Sequence, residues 1–307
     1  MDGQATALCD FRLEARDFRH VGSGLRRPEC VVALSDGSVL ASDRAGIVTR
    51  IFPDGSQTDH GSGAQLANTF ALDDDGTAIV ADLKRGAILS FDGGKASLLH
   101  DSYEGEPLGA VNFCLAGEAA AGEWYVSVAT RHADFRAAIE RPRADGRIFR
   151  LTPGRIERVA DGLFFPNAMQ IDPTGGWLYV AETTAGAISR APLLADDTLG
   201  RFERFGPDPL YPGAYTDGLA LDSAGNVWVT ELSRNAILAI APDGACHTVF
   251  EDPEGTVLRA PTDLAFGGAD LRSVFVSSLK MSTLPVFTAP VPGLALRHWR
   301  NATRPAF

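Results

Sequence analysis

The stretch LFFPNAMQIDPTGGWLYVAETTAGAISRAPL, residues 163–193, contains the pattern that decides the fold. A polar residue, Asn167, precedes an apolar run, and a glycine-containing turn leads into WLYVAE, where period-two alternation returns. Such alternation and such turns are typical of antiparallel β-hairpins. We therefore expect strands here, and the amide in front of the first strand requires an explanation.

The same pattern occurs six times in the chain. Each copy has a polar residue, an apolar run, a turn and a second apolar run. The copies begin near RPECVVALSDGSVLASDRAG, ANTFALDDDGTAIVADLKRG, VNFCLAGEAAAGEWYVSVATR, PNAMQIDPTGGWLYVAETTAG, TDGLALDSAGNVWVTELSRN and PTDLAFGGADLRSVFVSSLK. A further strand usually follows, as in RGAILSF and NAILAIA, so each unit holds three to four strands. Units of this size are typical of the blades of a β-propeller.

The six units predict an all-β fold, a six-bladed β-propeller, in a single domain over residues 1–307. The polar residues of the copies are the blade anchors, near positions 29, 68, 112, 167, 217 and 263. Either CDFRLEARDF (9–18) or LALRHW (294–299) is expected to complete a blade and close the ring. A parallel β-helix or a pair of β-sandwiches would use the same alternation, although a β-helix needs shorter and more uniform repeats.

Composition and charge exclude several classes of protein. The chain has 307 residues and a net charge of −11, without a basic cluster that would attract a phosphate backbone, so we expect no nucleic-acid partner. It has no run of eighteen uncharged apolar residues and no export signal, which predicts no membrane association and a cytoplasmic location. Cys9, Cys30, Cys114 and Cys246 lack CxxC spacing, which predicts reduced and mostly buried thiols.

The anchors suggest a metal site. In a propeller they would lie at one height around the axis, and all six carry side-chain oxygens. They are Glu29, Asn68, Asn112, Asn167, Asp217 and Asp263. Carboxylate and amide oxygens are the ligands that hard divalent cations prefer. Asx side chains before strands also satisfy turn backbone, which is the alternative. Glutamate is poor in that role, so Glu29 favours the metal site.

Several motifs, in order, resemble the gluconolactonase/regucalcin family over residues 25–290. They are RPEC with Glu29, FPNAMQID with Asn167, YTDGLALDSAGNVWVTE with Asp217, and PTDLAFGGADLRSVFVSS. The resemblance implies a six-bladed propeller that hydrolyses lactones with one divalent cation at its axis. It implies Glu29, Asn167 and Asp217 as metal ligands, Asp217 also as general base, and Asn112 as a catalytic residue that contacts substrate. Ca²⁺ is the expected ion, with Mn²⁺, Mg²⁺ or Zn²⁺ as alternatives.

The sequence departs from the family at its third anchor. The family pattern there is Arg, any residue, Asn, Asp, Gly, whereas this chain has AVNFC over residues 110–114. The missing arginine and aspartate predict a pocket different from that for gluconolactone. We expect the insertion at 131–147 to shape this pocket, with Arg131 contacting an anion on the substrate and Phe165 forming a wall. A solvated loop with internal ion pairs, and core burial of Phe165, are the alternatives.

The leading functional hypothesis is a metal-dependent hydrolase that opens a small-molecule lactone or related ester. Phosphotriester hydrolysis at the same cation is an alternative enzyme activity. A strictosidine-synthase-like propeller would need no divalent ion, and a non-catalytic propeller would bind protein partners. The chain has neither an HExxH nor a GxSxG motif, which argues against a histidine zinc site and a serine hydrolase.

Overall fold

A computed structural model describes residue 8, residues 10–44, 46–132, 134–195 and 198–300, and residue 307. The described residues form six four-stranded antiparallel sheets, one short hairpin and very little helix, in the arrangement of a six-bladed β-propeller. The prediction of an all-β, six-bladed propeller is confirmed.

The first three blades follow one another along the chain. A short strand, β1 (Arg19–Val21), comes before them. Blade 1 contains β2 (Val31–Ala33), β3 (Val39–Ser42), β4 (Val48–Ile51) and β5 (Gln57–His60). Blade 2 contains β6 (Ala67–Leu72), β7 (Ala78–Asp82), β8 (Ala87–Phe91) and β9 (Ser97–His100). The hairpin of β10 (Ser102–Tyr103) and β11 (Glu106–Pro107) precedes blade 3, which contains β12 (Val111–Ala116), β13 (Trp124–Val128), β14 (Gly146–Thr152) and β15 (Arg155–Leu163).

The remaining blades complete the ring. Blade 4 contains β16 (Pro166–Ile171), β17 (Trp177–Glu182), β18 (Ala187–Pro192) and β19 (Glu203–Phe205). Blade 5 contains β20 (Thr216–Leu221), β21 (Val227–Glu231), β22 (Ala236–Ile240) and β23 (Cys246–Glu251). Blade 6 contains β24 (Pro261–Gly267), β25 (Ser273–Ser278) and β26 (Leu284–Thr288). The helices are α1 (Phe135–Glu140) and α2 (Arg297–Arg300), with 3-10 turns at Ala15–Asp17 and Thr183–Ala185.

The N-terminal strand closes the ring. Strand β1 pairs antiparallel with β26, with Arg19 opposite Val286, so it is the outer strand of blade 6. Joining the two ends of the chain in one sheet leaves only short protected edges. The prediction that residues 9–18 or residues 294–299 close the ring was wrong, because β1 closes it. Within residues 10–18, Phe18 packs on Phe250 with ring centroids 4.5 Å apart, and residues 294–299 lie elsewhere, as described below.

Each anchor lies where the inner strand of its blade begins. In five blades the pairing of the inner strand with its neighbour shifts register at the anchor, which is a β-bulge. The shifts fall between Ala67 and Thr69, Val111 and Phe113, Pro166 and Met169, Thr216 and Leu219, and Pro261 and Leu264. A bulge leaves residues unpaired and redirects their side chains. In blade 1, Glu29 lies just before β2.

Buried hydroxyl groups join the bulges of blades 3 and 5 to the next blade. Thr230 Oγ1 accepts a hydrogen bond from Gly218 N at 2.7 Å and donates to Thr262 O at 3.0 Å. Ser127 Oγ makes the same pair of bonds between blades 3 and 4, to Phe113 N at 3.1 Å and Asn167 O at 3.0 Å. These hydroxyls therefore fix the height of neighbouring anchors relative to one another.

We expect Thr230→Val to lower the free energy of unfolding by about 1–3 kcal/mol, because an isosteric methyl group leaves a buried N–H and a buried C=O unpaired. Urea unfolding followed by circular dichroism measures this change. Thr58→Val, on the exposed outer strand β5, is the matched control and should change the free energy by less than about 0.5 kcal/mol. Equal effects of the two substitutions would contradict the role assigned to Thr230.

Two further expectations concern the cysteines and the membrane. Cys30 and Cys114 are buried free thiols and Cys246 is half-buried, as predicted, whereas Cys9 lies outside the described residues. Over the part of the chain that the structure describes, no helix has the length and apolar character needed to cross a lipid bilayer.

Candidate metal centre and channel mouth

The six anchors are buried at one end of the central channel. Their exposed fractions range from 0% for Asn68 to 7% for Glu29. Asn68 Nδ2 lies 2.6 Å from Asn112 Oδ1, and the carboxylates of Glu29, Asp217 and Asp263 are close enough to raise one another's pKa values. Asn68 and Asp263, whose place the sequence left open, therefore belong to this cluster.

An arginine that sequence reasoning missed lies among the anchors. Arg27 Nη2 is 2.8 Å from Glu29 Oε2 and donates to Asn68 Oδ1 at 3.1 Å. Arg27 Nη1 is buried and has no hydrogen-bond partner among the described residues. Arg27 lies two positions before the anchor Glu29, so the repeat pattern places its backbone near the site. Nothing in the spacing showed that its side chain turns inward.

Backbone strain marks the segments that enter the site. Arg27, Phe165 and Ala260 have φ values of 61°, 56° and 48°, and each lies two or three residues before an anchor. The left-handed conformation costs a non-glycine residue on the order of 1–3 kcal/mol, and such residues cluster at functional sites. The strain lies where the chain bends from one blade into the bulge of the next.

Asn167 answers the question raised by the opening stretch. Its Nδ2 donates to Thr183 Oγ1 at 3.2 Å, in the 3-10 turn after β17. Its side chain also hydrogen-bonds to Asp217, which partly lowers the pKa of that carboxyl group. The amide therefore points into the channel and links two neighbouring anchors. It does not cap its own turn.

Asp263 also binds backbone groups near its own turn, which is the alternative role that the sequence offered for the anchors. Its Oδ1 accepts from the next backbone N–H, Leu264 N, at 2.9 Å, so part of this side chain satisfies local backbone. Its Oδ2 also accepts from Val31 N of blade 1 at 3.3 Å, so the side chain bridges the first and last blades. One carboxyl group therefore holds backbone of two blades and is also part of the axial cluster.

Burial and mutual repulsion raise the pKa values of the axial carboxyl groups. Burial raises the pKa of Asp217 well above its usual range, and the charges of Glu29 and Asp263 raise it further. Burial raises the pKa of Asp263 to about 7 and that of Glu29 as well, although Arg27 opposes the shift at Glu29. A cation among these groups would stabilise their ionised forms.

The donors present fit a hard divalent cation. Glu29 Oε2 is buried and makes no hydrogen bond with any residue that the structure describes, its contact with Arg27 being an ion pair, and the neighbouring amides supply further oxygens. Among the described residues, a tighter acidic group is Asp73–Asp75, whose oxygens lie within 4.8 Å of one another. That group lies at the opposite end of the channel, where Arg297 already pairs with it. The axial carboxylates are spaced more widely, so amide oxygens would have to complete the shell of a cation held there.

These pKa shifts predict how stability depends on pH. Asp263 binds its proton more tightly when folded, with a pKa near 7 against 3.8, so the cation-free protein should lose stability as pH rises from about 4 to 7. Ca²⁺ requires the ionised carboxylates, so millimolar Ca²⁺ should raise Tm by roughly 5 °C at pH 8 and far less at pH 5. Scanning calorimetry with chelator or Ca²⁺ at each pH tests this. A rise equal at both pH values would contradict it.

Carboxylates at the ends of the second strands hold the segments that lead to the anchors. Glu231 Oε1 accepts from Tyr215 N at 2.7 Å, and Asp82 Oδ1 accepts from Leu66 N at 2.9 Å, in both cases two residues before an anchor. Glu182 accepts from Phe164 N in the same way at 2.7 Å. The sequence contained this signal, because three of the second strands end in VAD, VAE or VTE.

The insertion between β13 and β14 covers one side of the channel mouth. Helix α1 packs Phe135, Ala138 and Ile139 into an apolar cluster with residues from three blades. The partners are Leu66, Leu83, Ala110, Ala129 and Phe165. Phe165 is 6% exposed, so the core-burial alternative holds for most of its surface, although its position two residues before Asn167 places it beside the mouth. Arg131 is exposed on the same face.

The C-terminal segment lies across the opposite end of the channel. Three residues of α2 make the contacts. His298 Nε2 and Trp299 Nε1 contact Ala33 O at 2.9 and 3.0 Å. Arg297 donates to Gly117 O at 3.0 Å. A cavity of about 80 Å³ lies beneath them, and Phe113 is in its wall. Residues 294–299 are thus a cap and not a strand, and Phe113 faces the channel interior beyond the anchors.

Comparisons with known proteins agree with the propeller fold. The family model described as "SMP-30/Gluconolactonase/LRE-like region" matches residues 27–280. A 6-deoxy-6-sulfogluconolactonase of Pseudomonas putida is 30% identical over 139 residues, covering 45% of this chain and 46% of that protein. A pentonolactonase of Haloferax volcanii is 34% identical over 139 residues, covering 44% and 45%. The matches span less than half the length of these curated relatives.

Solved structures share the fold over nearly the whole chain. A protein described as a putative gluconolactonase has a TM-score of 0.71 at 21% identity, covering 93% of this chain and 96% of its own. A calcium-binding regucalcin of Agrobacterium tumefaciens has a TM-score of 0.69 at 19% identity, covering 91% and 94%. This chain is a six-bladed propeller with an axial cluster of carboxylates and amides. The chain belongs to the SMP-30/gluconolactonase/LRE-like family.

Proposed function

We propose that this protein is a divalent-metal-dependent hydrolase that opens a lactone or a related cyclic ester. The observation that supports this most is the buried axial cluster, in which three neighbouring carboxylates converge and Arg27 supplies one counter-charge. The carboxylates are those of Glu29, Asp217 and Asp263, and the amides of Asn112 and Asn167 lie among them. Family membership and the names of the relatives, a sulfogluconolactonase and a pentonolactonase, support the reaction class.

Glu29, Asn167 and Asp217 would hold the cation, with Asn112 beside it. Ca²⁺ fits best among Ca²⁺, Mn²⁺, Mg²⁺ and Zn²⁺, because the donors are all oxygens and include amides. The regucalcin with the same fold is described as calcium-binding. When bound, a divalent cation polarises an ester carbonyl and offsets the charge of the oxyanion.

The chain's own groups would place the substrate and move the proton. Arg27 Nη1 and Asn112 Nδ2 are buried donors without a partner in the part of the chain that the structure describes, and they would donate to oxygens of the substrate. Asp217 would accept a proton from the attacking water as its oxygen bonds to the carbonyl carbon. The ring C–O bond would then break, and the departing alkoxide would take up the proton that Asp217 had accepted, which gives the open hydroxy acid and restores the carboxylate.

The test is hydrolysis of a panel of five- and six-membered lactones by purified protein, before and after chelation, with metal content measured on the same samples. We expect one bound ion per chain and hydrolysis that chelator abolishes and Ca²⁺ or Mn²⁺ restores. A bound ion without turnover of any lactone would refute the lactonase and direct the test to phosphotriesters. Activity insensitive to chelation would refute metal dependence.

A further inference from the structure

A groove with concentrated positive charge lies on the same face as the channel mouth, between blades 2 and 3. Its volume is about 530 Å³. Its lining includes three cationic side chains, Lys84, Arg85 and Arg131, and one carboxylate, Asp101. This is an excess of positive charge on a chain whose net charge is −11.

The inner end of the groove adjoins the axial site. Gly109 and Ala110 line it and lead directly to Asn112. Ala110 N donates to Thr130 O at 2.9 Å, and a β-carbon on Gly109 would lie 2.9 Å from Arg131 Cα, so Arg131 is held beside this segment. The groove therefore begins within two residues of an anchor and extends outward over the mouth face.

Rigid elements hold the cations. Lys84 and Arg85 lie in the turn between β7 and β8, and this turn is fixed because Leu83 N donates to Leu66 O at 3.1 Å and Arg85 N donates to Asp82 Oδ1 at 3.1 Å. The three side chains are exposed, and none forms an ion pair with any residue that the structure describes. Their charges are therefore available to a ligand.

Position 110, in the part of the groove wall nearest Asn112 along the chain, is an alanine. Its side chain is short and uncharged, so Lys84, Arg85 and Arg131 are the cations of the groove wall, and Arg27 is the cation among the anchors. A substrate with its ester at the axis would then reach the cations with its far end.

We infer that this groove binds an anionic group on the substrate, a carboxylate, sulfonate or phosphate at the end of a lactone side chain. The assignment rests on the proposed function, since it places the lactone ring at the axial site. The two arginines offer planar donors that match such oxyanions, and Lys84 adds a point charge. The substrate class is therefore an acidic lactone.

The test compares two six-carbon aldonolactones that differ at the terminal carbon, one with a sulfonate and one with a hydroxyl group. For the triple variant Lys84→Gln, Arg85→Gln, Arg131→Gln, we expect kcat/KM to fall by about 10–100-fold for the sulfonate and less than 2-fold for the hydroxyl lactone. Arg143→Gln, an exposed arginine of the same insertion that does not line the groove, should change neither value. Equal effects on both lactones would overturn the assignment.

A binding measurement separates failure of this assignment from failure of the proposed function. If neither lactone is hydrolysed, the lactonase proposal fails, and calorimetry with the two open-chain acids still tests the groove. We expect the sulfonated acid to bind at least about 10-fold more tightly than the neutral-tailed acid, and the triple variant to lose this difference. Equal affinities in the unaltered protein would refute the anion subsite.

Discussion

Asp217→Asn is expected to lower kcat/KM for lactone hydrolysis by roughly 10²–10⁴-fold, because an amide cannot accept the proton of the attacking water. The same substitution removes one of three buried acidic groups that repel one another. It should therefore leave the Tm of the cation-free protein at pH 8 unchanged or higher, since the raised pKa of Asp217 means that its ionised form destabilises the fold. Steady-state kinetics and calorimetry on one preparation measure both effects.

The matched control is Asp243→Asn, an exposed aspartate in the turn between β22 and β23 of the same blade. It should leave kcat/KM within 2-fold of the starting value, because its carboxylate only accepts from Ala245 N. If Asp217→Asn retained full activity with the ion still bound, Asp217 would not be the base. A large loss of Tm in that variant would instead show that the carboxyl group holds the fold together.

Glu29→Gln is expected to weaken Ca²⁺ binding on the order of 100-fold, because it removes a formal charge from the coordination shell and leaves Arg27 as an uncompensated cation beside the ion. Activity at low micromolar Ca²⁺ should fall in proportion and recover partly at high Ca²⁺. Isothermal titration of chelator-treated protein gives the affinity, and a calcium titration of activity gives the recovery.

Asp75→Asn distinguishes the axial cluster from the acidic group Asp73–Asp75 as the place of the ion. It changes the cluster Asp73–Asp75 at the far end of the channel, and we expect it to alter neither the stoichiometry nor the affinity of Ca²⁺. Loss of binding in Asp75→Asn with retention in Glu29→Gln would place the ion in that turn and refute the axial site.

The repeated sequence pattern predicted the six blades and the position of the anchors at the start of each inner strand. Six anchors at similar spacing implied six inner strands that begin at one height, and Asn167 and Asp217 meet there because equivalent bulges turn their side chains to the axis. The departure at Ala110 and Phe113 was also visible in the sequence. The groove and the cavity that these two residues line depended on what packs opposite each residue.

Features outside the repeat could not be predicted in the same way. Arg27 enters the site because a left-handed backbone turns it inward, and neither hydrophobicity nor spacing records a φ angle. The pairing of β1 with β26 joins residues more than 260 positions apart, and three residues such as RHV have no distinctive strand pattern. The apolar letters of LALRHW suggested a strand, but burial of Arg297 against Asp73 fixes the segment as a cap.

The cap at the far end has a consequence for molecular traffic. Leu294, Leu296 and Trp299 of the cap line the cavity at that end of the channel. A molecule that enters at the mouth would meet this cap and would leave by the opening through which it came. If the protein hydrolyses an acidic lactone as proposed, the product acid would carry a new negative charge past Lys84, Arg85 and Arg131 on its way out. Product release would then share its route with substrate entry, and the cations that attract an acidic substrate would also slow the departure of its more acidic product.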